Sequence, residues 1–182
     1  HRVDPMTPIE ETLRALDDLV RQGKVRYIGC SNLPAWRVVE AQWSARAGGL
    51  ESFVSVQDHY NLLARGIEAE LVPAVQAYGL GILPYYPLAN GLLTGKYRRG
   101  ADPQPGTRIT LRSDLKERLL SDETLTVVEQ LEAFATQRGH TLLELAFSWL
   151  ACRPGVASVI AGAMRPEQVE ANAAAAGWAL TA

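Results

Sequence analysis

Four short stretches of the 182-residue chain hold side chains whose types and spacing could do chemistry. They are Gly29-Cys30-Ser31-Asn32, Gln57-Asp58-His59-Tyr60-Asn61, the run 85–96, and the run 162–168. Ser31, Asn32 and Gln57 together can donate to and accept from a primary amide such as a carboxamide. Tyr85 offers a flat face to a heteroaromatic ring. The glycine-bearing loop 91–96 lets backbone N–H groups approach a pyrophosphate, and Lys96 adds charge there. Gly162 precedes a helix whose free N–H groups favour an anion, and Arg165 adds a guanidinium. The set suits a planar amide, a stacking ring and phosphate.

Each feature also has a plainer use. Ser31 and Asn32 suit a helix cap, and Gln57 suits a bond to a neighbouring loop. Tyr85 and Tyr86 suit a core, and Arg98, Arg99, Arg108 and Arg112 suit a solvated charge run. What favours chemistry is position, because polar and glycine features recur at one end of successive strands.

Those strands must be placed by the intervening helices. Thr7-Pro8-Ile9-Glu10 reads as a capping box with Thr7 as N-cap, followed by Ile9, Leu13, Leu16 and Val20 at helical spacing. A buried parallel strand is expected from Val25, then a helix carrying Trp36, Val39 and Trp43. A strand from Phe53, a helix over 67–78 and a strand from Gly81 follow, the strands recurring about every 28 residues. An Arg/Pro/Gly stretch over 97–113 interrupts the rhythm. Helices are expected over 114–120, 125–138 and 142–153, the last begun by a second capping box, Thr141 with Glu144. A fourth strand over 156–162 and a helix over 166–176 close the pattern.

Strands alternating with helices imply a parallel sheet covered by helices. Four strands are too few to close a barrel, which takes eight. An open doubly wound sheet is the alternative, but no G-x-G-x-x-G follows any strand. The chain starts on a strand-exit residue and ends where Thr181 would cap a helix that does not follow. It is therefore expected to be a single domain over 1–182, part of a larger α/β barrel cut at both ends. On that reading the isolated polypeptide is neither a well-behaved monomer nor an active enzyme, since it exposes sheet edges.

The formal net charge of −2 gives no reason to expect nucleic acid or an anionic membrane as partner. Two cysteines, Cys30 and Cys152, form no metal motif and suit a reducing, cytoplasmic setting. No apolar run approaches the roughly 20 residues that span a bilayer.

The stretches "GKVRYIGCSN", "VQDHYNLL", "PYYPLANGLLTGKY" and "VIAGAMRPEQVEAN", with the opening His1 to Pro5, resemble the aldo-keto reductase superfamily, in its bacterial and channel-β-subunit-like branch. The resemblance covers nearly the whole chain. It implies a (β/α)8 TIM barrel, present here as about its second half, that binds NADP(H) without a Rossmann motif. It implies hydride transfer from the nicotinamide to an aldehyde or ketone, with a small-molecule carbonyl or alcohol as substrate.

Residue by residue, Ser31, Asn32 and Gln57 match the positions that hold the nicotinamide carboxamide, and Tyr85 the aromatic stacked on its ring. Pro87, Leu88, Ala89, Asn90 and Lys96 match the pyrophosphate and ribose loop, with Tyr86 at a place often held by Ser or Phe. Arg108 matches the arginine of the next loop. Gly162, Met164, Arg165, Gln168 and Asn172 match the pocket for the adenosine 2′-phosphate and adenine. Met164 stands where the family usually has Ser or Thr, and Ala171 where it usually has Glu. NADP(H) is therefore the favoured cofactor, with NAD(H) admitted.

His1 matches the histidine of the family's Asp, Tyr, Lys, His catalytic set, whose other members match nothing in this chain and are expected upstream. His59 and His140 carry no match, and a loop hydrogen bond and a structural role are expected for them. A regulatory cofactor-binding protein resembling channel β-subunits is the alternative function, and an unrelated phosphate-binding barrel enzyme a third.

Overall fold

The computed structural model describes residues 1–111 and 119–180, with the side chains of Arg108 and Leu111 excepted. It divides into two compact units: His1–Tyr60, Arg65–Tyr85 and Arg153–Ser158 form the first, and Asn61–Ala64, Tyr86–Cys152 and Val159–Ala182 the second.

The first unit is a parallel sheet of β1 (Ile28–Ser31), β2 (Phe53–His59) and β3 (Gly81–Tyr85), in sequential order. Helices α1 (Ile9–Arg21), α2 (Ala35–Gly48) and α3 (Leu71–Ala77) pack on one face of it. Sequential parallel order with helical connections is what consecutive strands of a (β/α) barrel require. The helix-packed face holds Ile28, Cys30, Phe53, Val56 and Ile82 among the side chains of Leu13, Val38, Ala41, Ala45 and Val75.

Register assigns the other face. Gly29 pairs with Ser55, Ser31 with Gln57, Gln57 with Leu83 and His59 with Tyr85. Strand alternation therefore gathers Ser31, Gln57, His59 and Tyr85 on the side away from the helices. Close approach there needs Gly29, since a Cβ at that position would lie 2.4 Å from Ser55 Oγ.

Several expectations shift. The first strand begins at Ile28 rather than Val25, because its partner β2 begins at Phe53, opposite Ile28. The helix expected over 67–78 is a 3-10 turn, Gly66–Glu68, followed by α3. Pro73 has no N–H to bond the carbonyl four residues back, so a continuous helix would break there. In α2 the buried stripe is Val38, Ala41 and Ala45, while Trp36 and Trp43 are exposed. Small alanines let the helix lie close to the sheet, where an indole would hold it off. The fourth expected strand forms no continuous ladder among the described residues, only isolated bridge residues, of which Val156 pairs in parallel with Ile82. The two bonds of that pairing run from Ile82 N–H to Gly155 O (2.7 Å) and from Ala157 N–H to Ile82 O (2.9 Å).

The Thr7 capping box does not form. Pro8 is the extended N-cap of α1, and no side chain caps it. The Thr7 hydroxyl instead donates to Asp4 (2.8 Å), and Glu10 accepts from the Ser44 hydroxyl (2.9 Å). His1 is exposed and lies in no strand, so the strand-exit reading is not seen: residues 1–4 make no ladder ahead of the turn at Pro5.

The second unit contains α4 (Arg108–Leu111), α5 (Asp122–Thr136), α6 (Leu142–Ala151) and α7 (Pro166–Ala174). Its core joins Leu92, Leu93, Tyr97, Ile109, Val128, Leu142 and Leu145, with Trp178 and Leu180 packed against them. Here the capping box does form: Thr141 Oγ1 accepts from Glu144 N–H (3.2 Å), and the Glu144 carboxylate accepts from Thr141 N–H (2.7 Å). The bonds it accepts from Thr141 N–H and the Thr141 hydroxyl hold the Glu144 carboxyl below its ordinary value. His140 stacks on Trp178 with centroids 4.0 Å apart, which agrees with a structural role. Arg98 pairs with Glu132, and Arg99 with Asp122 and Glu129, so these arginines are tied to α5 rather than left as a solvated run. The helix expected over 114–120 falls largely outside the described residues, as do Arg112 and Thr181.

Candidate functional site

In the first unit, the ends of three strands bring together four of the residues singled out from sequence. Asn32, just past β1, sits at φ 55, a left-handed conformation that Asn tolerates better than most residues. Its N–H donates to Gln57 O (3.1 Å), fastening the turn to β2. Its side chain links two others: Tyr85 O–H donates to Asn32 Oδ1 (2.7 Å), and Asn32 Nδ2 donates to Ser31 Oγ (2.7 Å). Neither Ser31 nor Asn32 caps α2, whose N-cap is Pro34 without any side-chain bond, so the capping alternative falls away.

Ser31 is buried, whereas Gln57 and Tyr85 are half-buried. The Gln57 side-chain amide has no hydrogen-bond partner among the described residues. It lies in register beside Ser31, so one oxygen acceptor and one N–H donor stand next to a hydroxyl. That donor set fits a carboxamide.

The neighbouring titratable groups stay quiet. Cys30, on the helix-packed face, has its thiol pushed up to about 12 by burial. Burial likewise raises the Asp58 carboxyl, which accepts from His59 N–H (2.7 Å) and so closes the end of β2.

The second unit carries the loop that follows Tyr85. Tyr86, Ala89 and Asn90 all lie at positive φ (54, 46 and 59), and Gly91 at 97. Four such residues in so short a stretch wind the backbone tightly enough for Gly91 N–H to reach Leu88 O (2.8 Å). Asn61 anchors the loop. Fully buried, it donates from Nδ2 to Tyr86 O (2.8 Å) and accepts Leu63 N–H at Oδ1 (2.9 Å). A Cβ at Gly91 would lie 2.9 Å from Lys96 Cε and 3.0 Å from Nζ, so glycine lets the lysine fold over the loop. Lys96 is exposed, while the Tyr97 hydroxyl beside it is buried with no partner among the described residues. A cation over a glycine-lined loop fits a phosphate group. Pro87 and Ala89 are buried and Leu88 half-buried in this loop, so they shape it from within.

The remaining residues lie around α7. Arg165 is its N-cap, and Gly162, Met164, Arg165 and Gln168 are exposed, with Asn172 half-buried. Gln168 Oε1 accepts from Met164 N–H (2.7 Å), which occupies one of the backbone donors ahead of the helix. Arg108 opens α4, and its side chain lies outside the described residues.

Two residues have roles that the local sequence does not signal. The anchoring of the next loop by Asn61 has no local signal because Tyr86 is 25 residues away. His59 makes a ring contact that its sequence neighbourhood does not announce. It is the last residue of β2, and its ring stacks on Tyr85 with centroids 5.5 Å apart and planes 13° apart. A period-2 count from Gln57 would have placed it on the same face. Among the described residues there is no cluster able to hold a metal ion and no helix long and apolar enough to cross a membrane.

Sequential parallel strands with polar groups collected at their C-terminal ends define an α/β protein of the kind that binds ligands at strand ends. The chain belongs to the aldo/keto reductase family, whose model matches residues 1–182. It is similar to a probable voltage-gated potassium channel subunit beta of Arabidopsis thaliana, 39% identical over 175 residues, 94% of this chain and 53% of that protein. It is also similar to L-glyceraldehyde 3-phosphate reductase of Escherichia coli (strain K12), 36% identical over 179 residues, 94% of this chain and 50% of that protein. Versiconal hemiacetal acetate reductase of Aspergillus parasiticus is 32% identical over 154 residues, 85% of this chain and 45% of that protein. The chain spans about half the length of the curated relatives it matches.

Proposed function

We propose that the protein carrying this chain is an NAD(P)H-dependent oxidoreductase that reduces an aldehyde or ketone, with NADPH favoured over NADH. The observation that carries this reading is the linked set of Ser31, Asn32, Gln57 and Tyr85 at three successive strand ends. Members of the family generally bind NAD(P)H, and when bound the dihydronicotinamide supplies a hydride.

On this reading the protein's own residues bind and orient. Ser31, Asn32 and Gln57 hold the carboxamide, and so fix which face of the ring lies on Tyr85. Tyr85, its hydroxyl tied to Asn32, covers one face of the nicotinamide and leaves the other for substrate. Tyr86, Pro87, Leu88, Ala89, Asn90 and Lys96 line the diphosphate, and Arg108 adds charge. Gly162, Met164, Arg165, Gln168 and Asn172 take the adenosine end, where Arg165 pairs the 2′-phosphate although Met164 offers it no oxygen. His1 polarises the carbonyl by a hydrogen bond. The fold is the family's (β/α)8 barrel.

Fluorescence titration with NADPH and NADH, followed by NADPH oxidation with an aldehyde, tests this. Tighter binding of NADPH and aldehyde-dependent oxidation, weakened in His1→Ala, are expected. Absence of binding to either nucleotide sinks the reading. The relatives named as channel subunits favour a second reading, a regulatory protein with the same pocket. Tight binding with negligible turnover would select it.

A further inference from the structure

The polar face of the sheet holds one aromatic residue that the proposed pocket leaves without a task. His59 and Tyr85 are the last registered pair of β2 and β3. Parallel neighbours stand ~4.8 Å apart in the ladder, so two rings at such a pair must meet on whichever face they share. They meet as an offset stack, 5.5 Å between centroids and 13° between planes. The backbone behind the imidazole is itself fixed, since His59 N–H donates to Asp58 Oδ1 (2.7 Å).

Tyr85 is therefore held both at its tip and at its ring. Its hydroxyl is tied to Asn32 Oδ1 (2.7 Å), which sets where the tip lies. The stacked imidazole supports the plane of the ring. The geometry points to His59 as a positioning residue: it backs Tyr85 and helps set the plane of that ring against the nicotinamide. This inference rests on the cofactor reading above. It adds that the stacking platform is a pair of rings from adjacent strands.

A ring less firmly oriented stacks less well on its ligand, so losing the backing lowers affinity for the nicotinamide half alone. Aromatic pairs contribute about 0.5–1.5 kcal/mol beyond their burial, which corresponds to roughly 2- to 10-fold in affinity. The test compares wild type, His59→Ala, His59→Phe and Tyr85→Ala by equilibrium titration. The probes are NADPH and 2′-phospho-ADP-ribose, which lacks nicotinamide, and urea midpoints report folding.

The expected result is NADPH binding weakened roughly 2- to 10-fold in His59→Ala and more in Tyr85→Ala, and restored in His59→Phe, with 2′-phospho-ADP-ribose affinity unchanged throughout. Unaltered NADPH affinity in His59→Ala, alongside a weakened Tyr85→Ala, overturns the role of His59 and leaves the pocket standing. Equal loss for both nucleotides overturns it too, because that pattern is general damage. Should wild type bind no NADPH, or Tyr85→Ala bind it as well as wild type, the cofactor reading fails and this inference with it.

Discussion

The two candidate site regions, one in each unit, are built by different means. In the first unit, Ser31, Gln57, His59 and Tyr85 occupy neighbouring same-face ladder positions, and backbone pairing places them before any side chain makes a bond. In the second, the loop after Tyr85 is wound by residues at positive φ and fastened by one buried side chain, Asn61. A ladder spreads its tolerance over many bonds, whereas a loop concentrates its dependence on one residue. The first region is thus robust to changes in its functional side chains and intolerant of backbone crowding. The second region has the opposite character.

Asn61→Ala should break this comparison most visibly. It strips partners from two backbone groups and leaves a cavity at a fully buried position. About 2–4 kcal/mol of stability should be lost, measured by urea denaturation. A cost below ~1 kcal/mol would mean the loop does not depend on its anchor.

Gly29→Ala probes the ladder from the other side. Its Cβ would meet Ser55 Oγ at 2.4 Å and Ser55 O at 3.0 Å, so one of the strands must move. A loss of about 1–3 kcal/mol is expected in the same assay.

Gly91→Ala sharpens the loop region. At φ 97 a side chain is strained, while the crowding falls on the flexible end of Lys96, which can swing away. About 1–2 kcal/mol is expected from the backbone alone, along with weaker nucleotide binding. Gly162→Ala should be nearly silent, within ~0.5 kcal/mol, because nothing lies within 4 Å of the added methyl.

The smallest effect checks which way β1 faces. Burial pushes Cys30 from an ordinary 9.0 to about 12, roughly a thousandfold less thiolate at pH 8, whereas Cys152 is exposed. Iodoacetamide should therefore modify Cys152 and spare Cys30 in the folded protein. Prompt modification of both would contradict the placement of Cys30 on the helix-packed side.

Much of the fold was legible because its signals are local. Ile9 and Leu13 recur at helical spacing and are buried, and Thr141 with Glu144 forms the box its spacing announces. The same motif at Thr7 failed because Asp4 competes for the hydroxyl and Ser44 engages Glu10. That second partner is 34 residues away, so no local pattern could reveal it. The buried face of α2 has a related origin: its large apolar residues Trp36 and Trp43 lie exposed, and close packing selected Ala41 and Ala45. For the site, residue type and strand-end position identified Ser31, Asn32, Gln57 and Tyr85. The pairing of His59 with Tyr85 depends on register, which a sequence shows only after the strands are aligned.

One irregularity in β2 has a disproportionate consequence. Ile28 faces Phe53 and Gly29 faces Ser55, so Val54 is an extra residue with no opposite number. Phe53 and Val56 therefore share a face although an odd number of positions separates them, which strict alternation forbids. The bulge works as a parity shift. Upstream of it the strand is in phase with its apolar packing, and downstream it is rephased so that Gln57 and His59 turn away from the helices. Removing Val54 would leave the other residues of the strand unchanged while exchanging the destinations of every side chain on one side of the cut. A single unpaired residue thus decides whether the polar end of β2 addresses a ligand or the hydrophobic core.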